Sequence, residues 1–233
     1  MAFKILSGKT ITLPPKKTES FIVLIKGSAS FHINDVHFKS KRSSPFTDLP
    51  SGMFIPADHA LSIQAKNETE VGWCISKSKP RRKNLLPFFV PEKEVRIRTV
   101  GQEHHQRTVM DILSESHQAD YLLVGETLSK PGMWSSYPPH KHDHSKLNQE
   151  SKMEEIYYYR TELKNRFGLQ CLYSPEHKMD FCFRVKNHDC LAIPFGFHPV
   201  SAPPDSRFYY LWMLSGNTRK LHYKTDPDFN EIK

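Results

Sequence analysis

The chain has 233 residues, with 33 Lys and Arg against 25 Asp and Glu, a formal net charge of +8, and 13 His. With 38% hydrophobic, 12% aromatic and an ordinary 25% charged residues, it has ample material for packed cores and is not a disordered chain. No stretch approaches the roughly 20 apolar residues of a membrane span, the first residues lack a secretory pattern, and four scattered cysteines are too few for a disulfide scaffold, so a soluble, cytoplasmic protein with buried, reduced thiols is expected.

Along the chain, β-branched and aromatic segments broken by Gly, Pro, Asn and Asp predict strands over 20–25, 28–33, 61–65 and 72–76. The basic run 77–83 follows. It contains Pro80 and lacks the interleaved aromatics of a stacking platform, so it reads as a solvated linker and no nucleic-acid partner is expected. Over 107–114, Val109, Ile112 and Leu113 recur at three and four residues and predict a short amphipathic helix in the connection. Strands are then predicted over 121–127, 155–159, 169–173, 180–185, 190–193 and 208–214. Short strands with frequent turns favour antiparallel barrels or sandwiches over a parallel sheet.

The two halves echo one another. A strand ending Ile55-Pro56 precedes His59 and a later strand with Trp73; a strand ending Ile193-Pro194 precedes His198 and a later strand with Trp212. The echo predicts an all-β chain of two related antiparallel barrels, an N-terminal one over 1–98 and a C-terminal one over 99–233.

Trp134-Ser-Ser-Tyr-Pro-Pro-His-Lys-His-Asp143 carries the chemistry. On an extended strand residues i and i+2 share a face, so His140 and His142 can present two imidazoles to one point. The strand opening at Glu155 can add a carboxylate, and the Pro/Gly turn before His198 a third imidazole. Three imidazoles and a carboxylate suit Zn, Mn, Fe, Co or Ni and leave positions open, the mark of a catalytic centre; a closed zinc site would recruit cysteines. His144 leads into a polar loop and reads as a rim residue. His32, His37 and His59 are not followed by a matching Glu, so the first barrel reads as a degenerate one without this site.

These residues, with Glu154-Glu-Ile-Tyr-Tyr-Tyr159, Pro194-Phe-Gly-Phe-His-Pro-Val200 and Tyr209-Tyr-Leu-Trp-Met213, resemble the 5-deoxyglucuronate isomerase family of myo-inositol catabolism, bicupins related to the uronate ketol-isomerases of pectin breakdown. The resemblance is strong from about residue 100 onward and weaker before it. It implies metal ligation by His140, His142, Glu155 and His198, with one divalent metal per chain, zinc or manganese before the others. It also implies conversion of the aldose 5-deoxy-glucuronate to the ketose 2-deoxy-5-keto-gluconate. The chain departs from the family in its short first half, its basic charge, and Ala202-Pro-Pro-Asp205 where a Pro-Gly turn is usual.

Such an isomerisation moves a proton between adjacent carbons and needs a base, for which Tyr159, a carboxylate near the metal such as Glu155 itself, and a relay through a metal-bound water are the candidates. Gln170 and Tyr210 are expected to line the substrate site, with Arg107 or Arg160 meeting the anionic sugar acid's carboxylate; Tyr157, Tyr158 and Trp212 are expected in the core. Asp143 is expected either to orient a ligand His or simply to form a turn. Two other readings share the ligand set: an iron-dependent dioxygenase and a non-catalytic sugar-acid-binding bicupin. No membrane partner is expected, and the flat sheets of bicupins leave a homo-oligomer open.

Overall fold

The computed structural model describes residues 1–229, and it is built from strands, with no α-helix among the described residues. Contacts divide the chain into two compact units, Met1–Arg96 with Met110–Gly125, and Ile97–Val109 with Glu126–Lys233. The division therefore does not fall at one point near residue 98, because 110–125 returns to the first unit. The last four residues of the expected 99–233 segment lie outside the described residues.

The first unit contains Ala2–Ile5 (β1), Thr10–Leu13 (β2), Ser20–Ile33 (β3), Val36–Arg42 (β4), Gly52–Ile55 (β5), Leu61–Ala65 (β6), Thr69–Ile75 (β7) and Phe88–Val90 (β8). The two strands expected over 20–25 and 28–33 are one, β3, and it serves two groups of partners. Its first half pairs with β5 and β7, its second with β4 and β6. The change comes at a register shift between Leu24 and Lys26, next to Gly27, whose φ is +116°. A Cβ there would lie 2.5 Å from Thr69 Oγ1 and 2.6 Å from Thr69 Cα, so glycine is what lets the strand bend against β7. Alternating residues Ala29, Phe31 and Ile33 join Leu61, Ile63 and Ala65 in the core. The basic run is held rather than free: the Arg81 and Arg82 amides donate to Asp120 Oδ2 at 2.7 and 3.0 Å, and the Arg81 guanidinium lies over the Tyr121 ring.

Arg96–Val100 (β9), Arg107–Leu113 (β10) and Leu122–Ser129 (β11) follow. The expected helix over 107–114 is a strand instead. Met110 and Ile112 are buried while Asp111 is less so, a period of two that the sequence also contains. Seven residues with β-branched Thr108, Val109 and Ile112 are too few to nucleate a helix against a sheet that offers pairing.

The second unit contains Trp134–Ser135 (β12), His140–Lys141 (β13), Met153–Thr161 (β14), Phe167–Ser174 (β15), Met179–Lys186 (β16), Cys190–Ile193 (β17), Val200–Ser201 (β18), Phe208–Gly216 (β19) and Lys224–Thr225 (β20). β14 lies between β17 and β19; a second sheet runs β12-β18-β15-β16; β13 pairs with β20. The core between them is Tyr157, Tyr159, Leu172, Val185, Ile193, Val200, Phe208 and Tyr210. Of the cysteines only Cys74 is buried; Cys171 is half-buried and Cys182 and Cys190 are exposed, against the expectation of four buried thiols.

Candidate metal centre

β14 sets the centre through its alternation. Glu154 is exposed while Glu155, Tyr157 and Tyr159 are buried on the inner face, so Glu155 is the carboxylate the strand turns inward. The histidines come to it from two turns. β13 is only two residues long, held by pairing of His140 with Thr225, and places His140 and His142 on one side while Lys141 turns away to Asp143 and Glu150. His198 follows a turn at Gly196, whose φ is +92° and whose missing Cβ would lie 2.7 Å from the Tyr173 carbonyl oxygen. Asp143 does not touch a ligand histidine; its Oδ2 accepts the Gly196 N–H at 2.9 Å and so fixes that turn.

His142 Nε2 lies 3.1 Å and His198 Nε2 3.3 Å from Glu155 Oε2. His142, Glu155 and His198 each offer a ligand atom within 4.8 Å of the others, and all three are buried. His140 stands just outside this trio, its ring centroid 5.0 Å from that of His198 and 6.5 Å from that of His142.

The donor chemistry fits a cation. In all three rings Nδ1 faces a backbone carbonyl: Pro138 at 3.3 Å for His140, Met153 at 3.0 Å for His142, and Gly196 at 2.9 Å for His198. A carbonyl only accepts, so Nδ1 carries the hydrogen and a neutral ring presents the lone pair of Nε2. Two such lone pairs facing a carboxylate repel it unless a proton or a metal lies between. His198 Nε2 is moreover buried without a hydrogen-bond partner among the described residues. Backbone carbonyls fixing the far nitrogen of each ring are the usual support of metal-binding imidazoles.

Without a metal, protons share the load. Burial raises the Glu155 carboxyl, but the hydrogen bond from His142 and the neighbouring imidazoles of His142 and His198 outweigh it and lower it to about 2. Burial also works against charge on His142, and the Glu155 hydrogen bond overcomes it, raising that imidazole. Burial together with the charges of His198 and His142 pushes His140 well below the ordinary range.

The remaining predicted residues divide. Tyr159 is fully buried, stacks on Phe208 and donates its hydroxyl to Gln170 Oε1 at 2.8 Å; burial and the Tyr210 phenol push it well above the ordinary tyrosine range, which holds the phenol protonated. Gln170 is buried and its side chain is engaged within the fold. Its amide donates to the carbonyls of Cys171, His198 and Pro199 at 2.8, 2.9 and 3.2 Å, holding the backbone of a predicted ligand. Arg160 falls on the other face of β14 and bonds Asn187 Oδ1 at 3.1 Å, so the structure does not bring it to the histidines. Arg107 is half-buried, with Nη1 donating to the carbonyls of His105 and Tyr137, and its charge reaches the Tyr210 phenol. Tyr210 donates to Ser135 Oγ at 2.9 Å.

Two further aromatics stand near the centre. Tyr157, in the core as expected, also has its ring 6.1 Å from His198 and its hydroxyl 3.2 Å from Ser136 Oγ, on the inner face set by the alternation from Glu155. The exposed Tyr223 ring lies 4.6 Å from His140 and is placed by β20, which nothing in the sequence pattern marked. In the first unit His32 and His37 face each other across β3 and β4, and among the described residues no group of three ligands forms there.

Residues 1–232 match the model of the KduI/IolB family. The chain is 34% identical over 229 residues to a protein of Geobacillus thermodenitrificans named 5-deoxy-glucuronate isomerase, covering 97% of this chain and 82% of that one. It is similar, with a TM-score of 0.94 and 32% identity, to the crystal structure of an IolB-like protein from Salmonella typhimurium LT2, covering 99% of this chain and 88% of that one. A cupin 2 conserved barrel domain protein from Leptotrichia buccalis shares the fold at a TM-score of 0.50 and 15% identity, over 92% of this chain and 81% of that one.

Proposed function

The chain belongs to the KduI/IolB family, and from that premise we propose that it is a 5-deoxy-glucuronate isomerase working through one divalent metal held by His140, His142, Glu155 and His198. The observation that carries the metal is the pair of Nε2 lone pairs aimed at the Glu155 carboxylate, one of them buried without a hydrogen-bond partner among the described residues. Nitrogen and oxygen donors without thiolate favour zinc or manganese.

When bound, such an ion supplies Lewis-acid stabilisation of the charge that develops on the sugar oxygens as the aldose becomes the ketose. The chain's own groups do the rest. Glu155 stays ionised across the neutral range and acts as ligand, not as proton carrier. The buried phenols of Tyr157 and Tyr210 stay protonated, because burial raises both, and Tyr157, whose contact with Ser136 Oγ leaves its hydrogen unassigned, can donate a hydrogen bond to a substrate oxygen. Arg107, beside Tyr210, is assigned to the sugar acid's carboxylate. Tyr159 and Gln170 act through His198 as positioning residues.

The same reading takes the two units as paired cupin barrels in a cytoplasmic enzyme. Repetition supports the pairing: β5 and β17 both end in an Ile that a Pro follows, and His59 repeats the contact of His198, its Nδ1 2.8 Å from the carbonyl two residues before it. The test is metal analysis of the purified protein together with an NMR assay on 5-deoxy-glucuronate. About one divalent ion per chain is expected, with His198→Ala losing both metal and turnover while keeping the wild-type circular dichroism. Undiminished turnover by metal-free protein would overturn the metal; turnover of other uronates only would overturn the substrate.

A further inference from the structure

Cys171 on β15 and Cys182 on β16 stand directly opposite each other, with their sulfurs 3.8 Å apart. The character of that pair follows from the neighbouring strand. The Cys171 N–H donates to the Pro199 carbonyl at 3.0 Å, and the Tyr173 N–H to Phe197 at 3.0 Å, so the amides of these alternate residues point away from β16. Cys171 and Cys182 are therefore a non-hydrogen-bonded pair of the antiparallel ladder. In such a pair the Cα atoms approach to about 4.5 Å, inside the range of roughly 4.4–6.8 Å that a disulfide spans. Side-chain rotation is enough to join the sulfurs, and the sheet register already holds them together.

We propose that Cys171 and Cys182 form a reversible cross-strand disulfide by exchange with a low-molecular-weight disulfide. The exposed Cys182 thiolate attacks one sulfur of the small disulfide, a new S–S bond forms and one thiolate leaves. The Cys171 thiolate then attacks the Cys182 sulfur and expels the second small thiolate. Two protein thiols are oxidised, the small disulfide is reduced to two thiols, and the two protein protons pass to the departing thiolates. Cys171 suits the second step: burial and the neighbouring Cys182 push its thiol up to about 11, so it is a poor first nucleophile that acts once the electrophilic sulfur is beside it. The bond lies next to Gln170, the amide that holds the His198 backbone, and staples the strand carrying it to β16.

The experiment treats the full-length protein with oxidised glutathione, blocks free thiols, and reads intact mass, a non-reducing peptide map and Tm. The expected product is lighter than the reduced protein by two hydrogens, with the peptides of Cys171 and Cys182 linked, Tm higher by about 5 °C, and full reversal by dithiothreitol. Cys171→Ser should instead retain one glutathione on Cys182, and the Cys74→Ser, Cys190→Ser double variant should oxidise like the wild type. A wild-type protein that keeps glutathione on Cys182 with Cys171 free, or whose linked peptides involve Cys190, overturns the proposal.

Discussion

The amide of Gln170 donates to three carbonyls, one of them that of His198, and accepts the Tyr159 hydroxyl. Gln170→Leu keeps the volume but takes the amide away from the His198 carbonyl and the Tyr159 hydroxyl in a buried place, where each unsatisfied group costs about 1–3 kcal/mol. The backbone relieves this by moving, and His198 moves with it. Metal affinity should fall by about 10–100-fold, as for other groups that orient a ligand from behind, with kcat restored by excess metal. Tyr159→Phe removes only the outer hydrogen bond of the same chain, so kcat should stay within about tenfold of wild type, since one neutral hydrogen bond contributes about 1 kcal/mol. Loss of kcat by several powers of ten in Tyr159→Phe, at saturating metal, would return that phenol to the role of base.

At the scale of elements, the start of β3 is tied by a carboxylate. Glu19 is fully buried, and its two oxygens accept the backbone N–H groups of Asp120, Tyr121 and Leu122 at 2.7, 2.7 and 2.9 Å. Glu19→Ala takes a charged acceptor away from these three buried N–H groups and should cost about 3 kcal/mol or more, lowering Tm by roughly 6–12 °C. Glu19→Gln, which turns an amine group toward one of the donors, should fall between. The contrast between this tie and β14 explains what a sequence can disclose. β14 was legible because the alternation of Glu155, Tyr157 and Tyr159 is local and strict. β10 was misread because Val109, Ile112 and Leu113 fit a helical period while Met110 and Ile112 fit a strand, and only pairing decides between them. Short β20 was invisible for a similar reason: two residues carry no period, and although the HxH spacing suggested an extended segment at His140, its partner Thr225 lies far along the chain. Gln170 looked like a lining residue because its type is polar; that its amide is consumed by the His198 turn depends on contacts 28 and 29 residues away.

For the whole molecule, metal, proton and folding equilibria meet at the same side chains. In the metal-free fold His142 has a raised pKa, so its protonated form supports folding fully below the unfolded value of 6.5 and that support is lost as pH rises through the folded value. Glu155, lowered to about 2, supports folding above its unfolded value of 4.5 and loses that support only as pH falls toward about 2. A metal must displace the proton of His142, whereas His140, kept neutral by burial, offers it no competition. Metal affinity therefore weakens as pH drops through the raised His142 value, and with it the stability that metal adds. At about a thousandfold excess over Kd, a ligand that binds only the folded state adds about 4 kcal/mol, or roughly 8–16 °C in Tm for a chain of this size. Paired thermal scans of metal-loaded and chelated protein should show that gap at pH 8 and a narrower one at pH 6. A gap that widens on acidification, or a Tm indifferent to chelation at pH 8, would mean that Glu155 is neutralised by protonated imidazole alone and that the three histidines form a buried charge cluster instead of a metal centre.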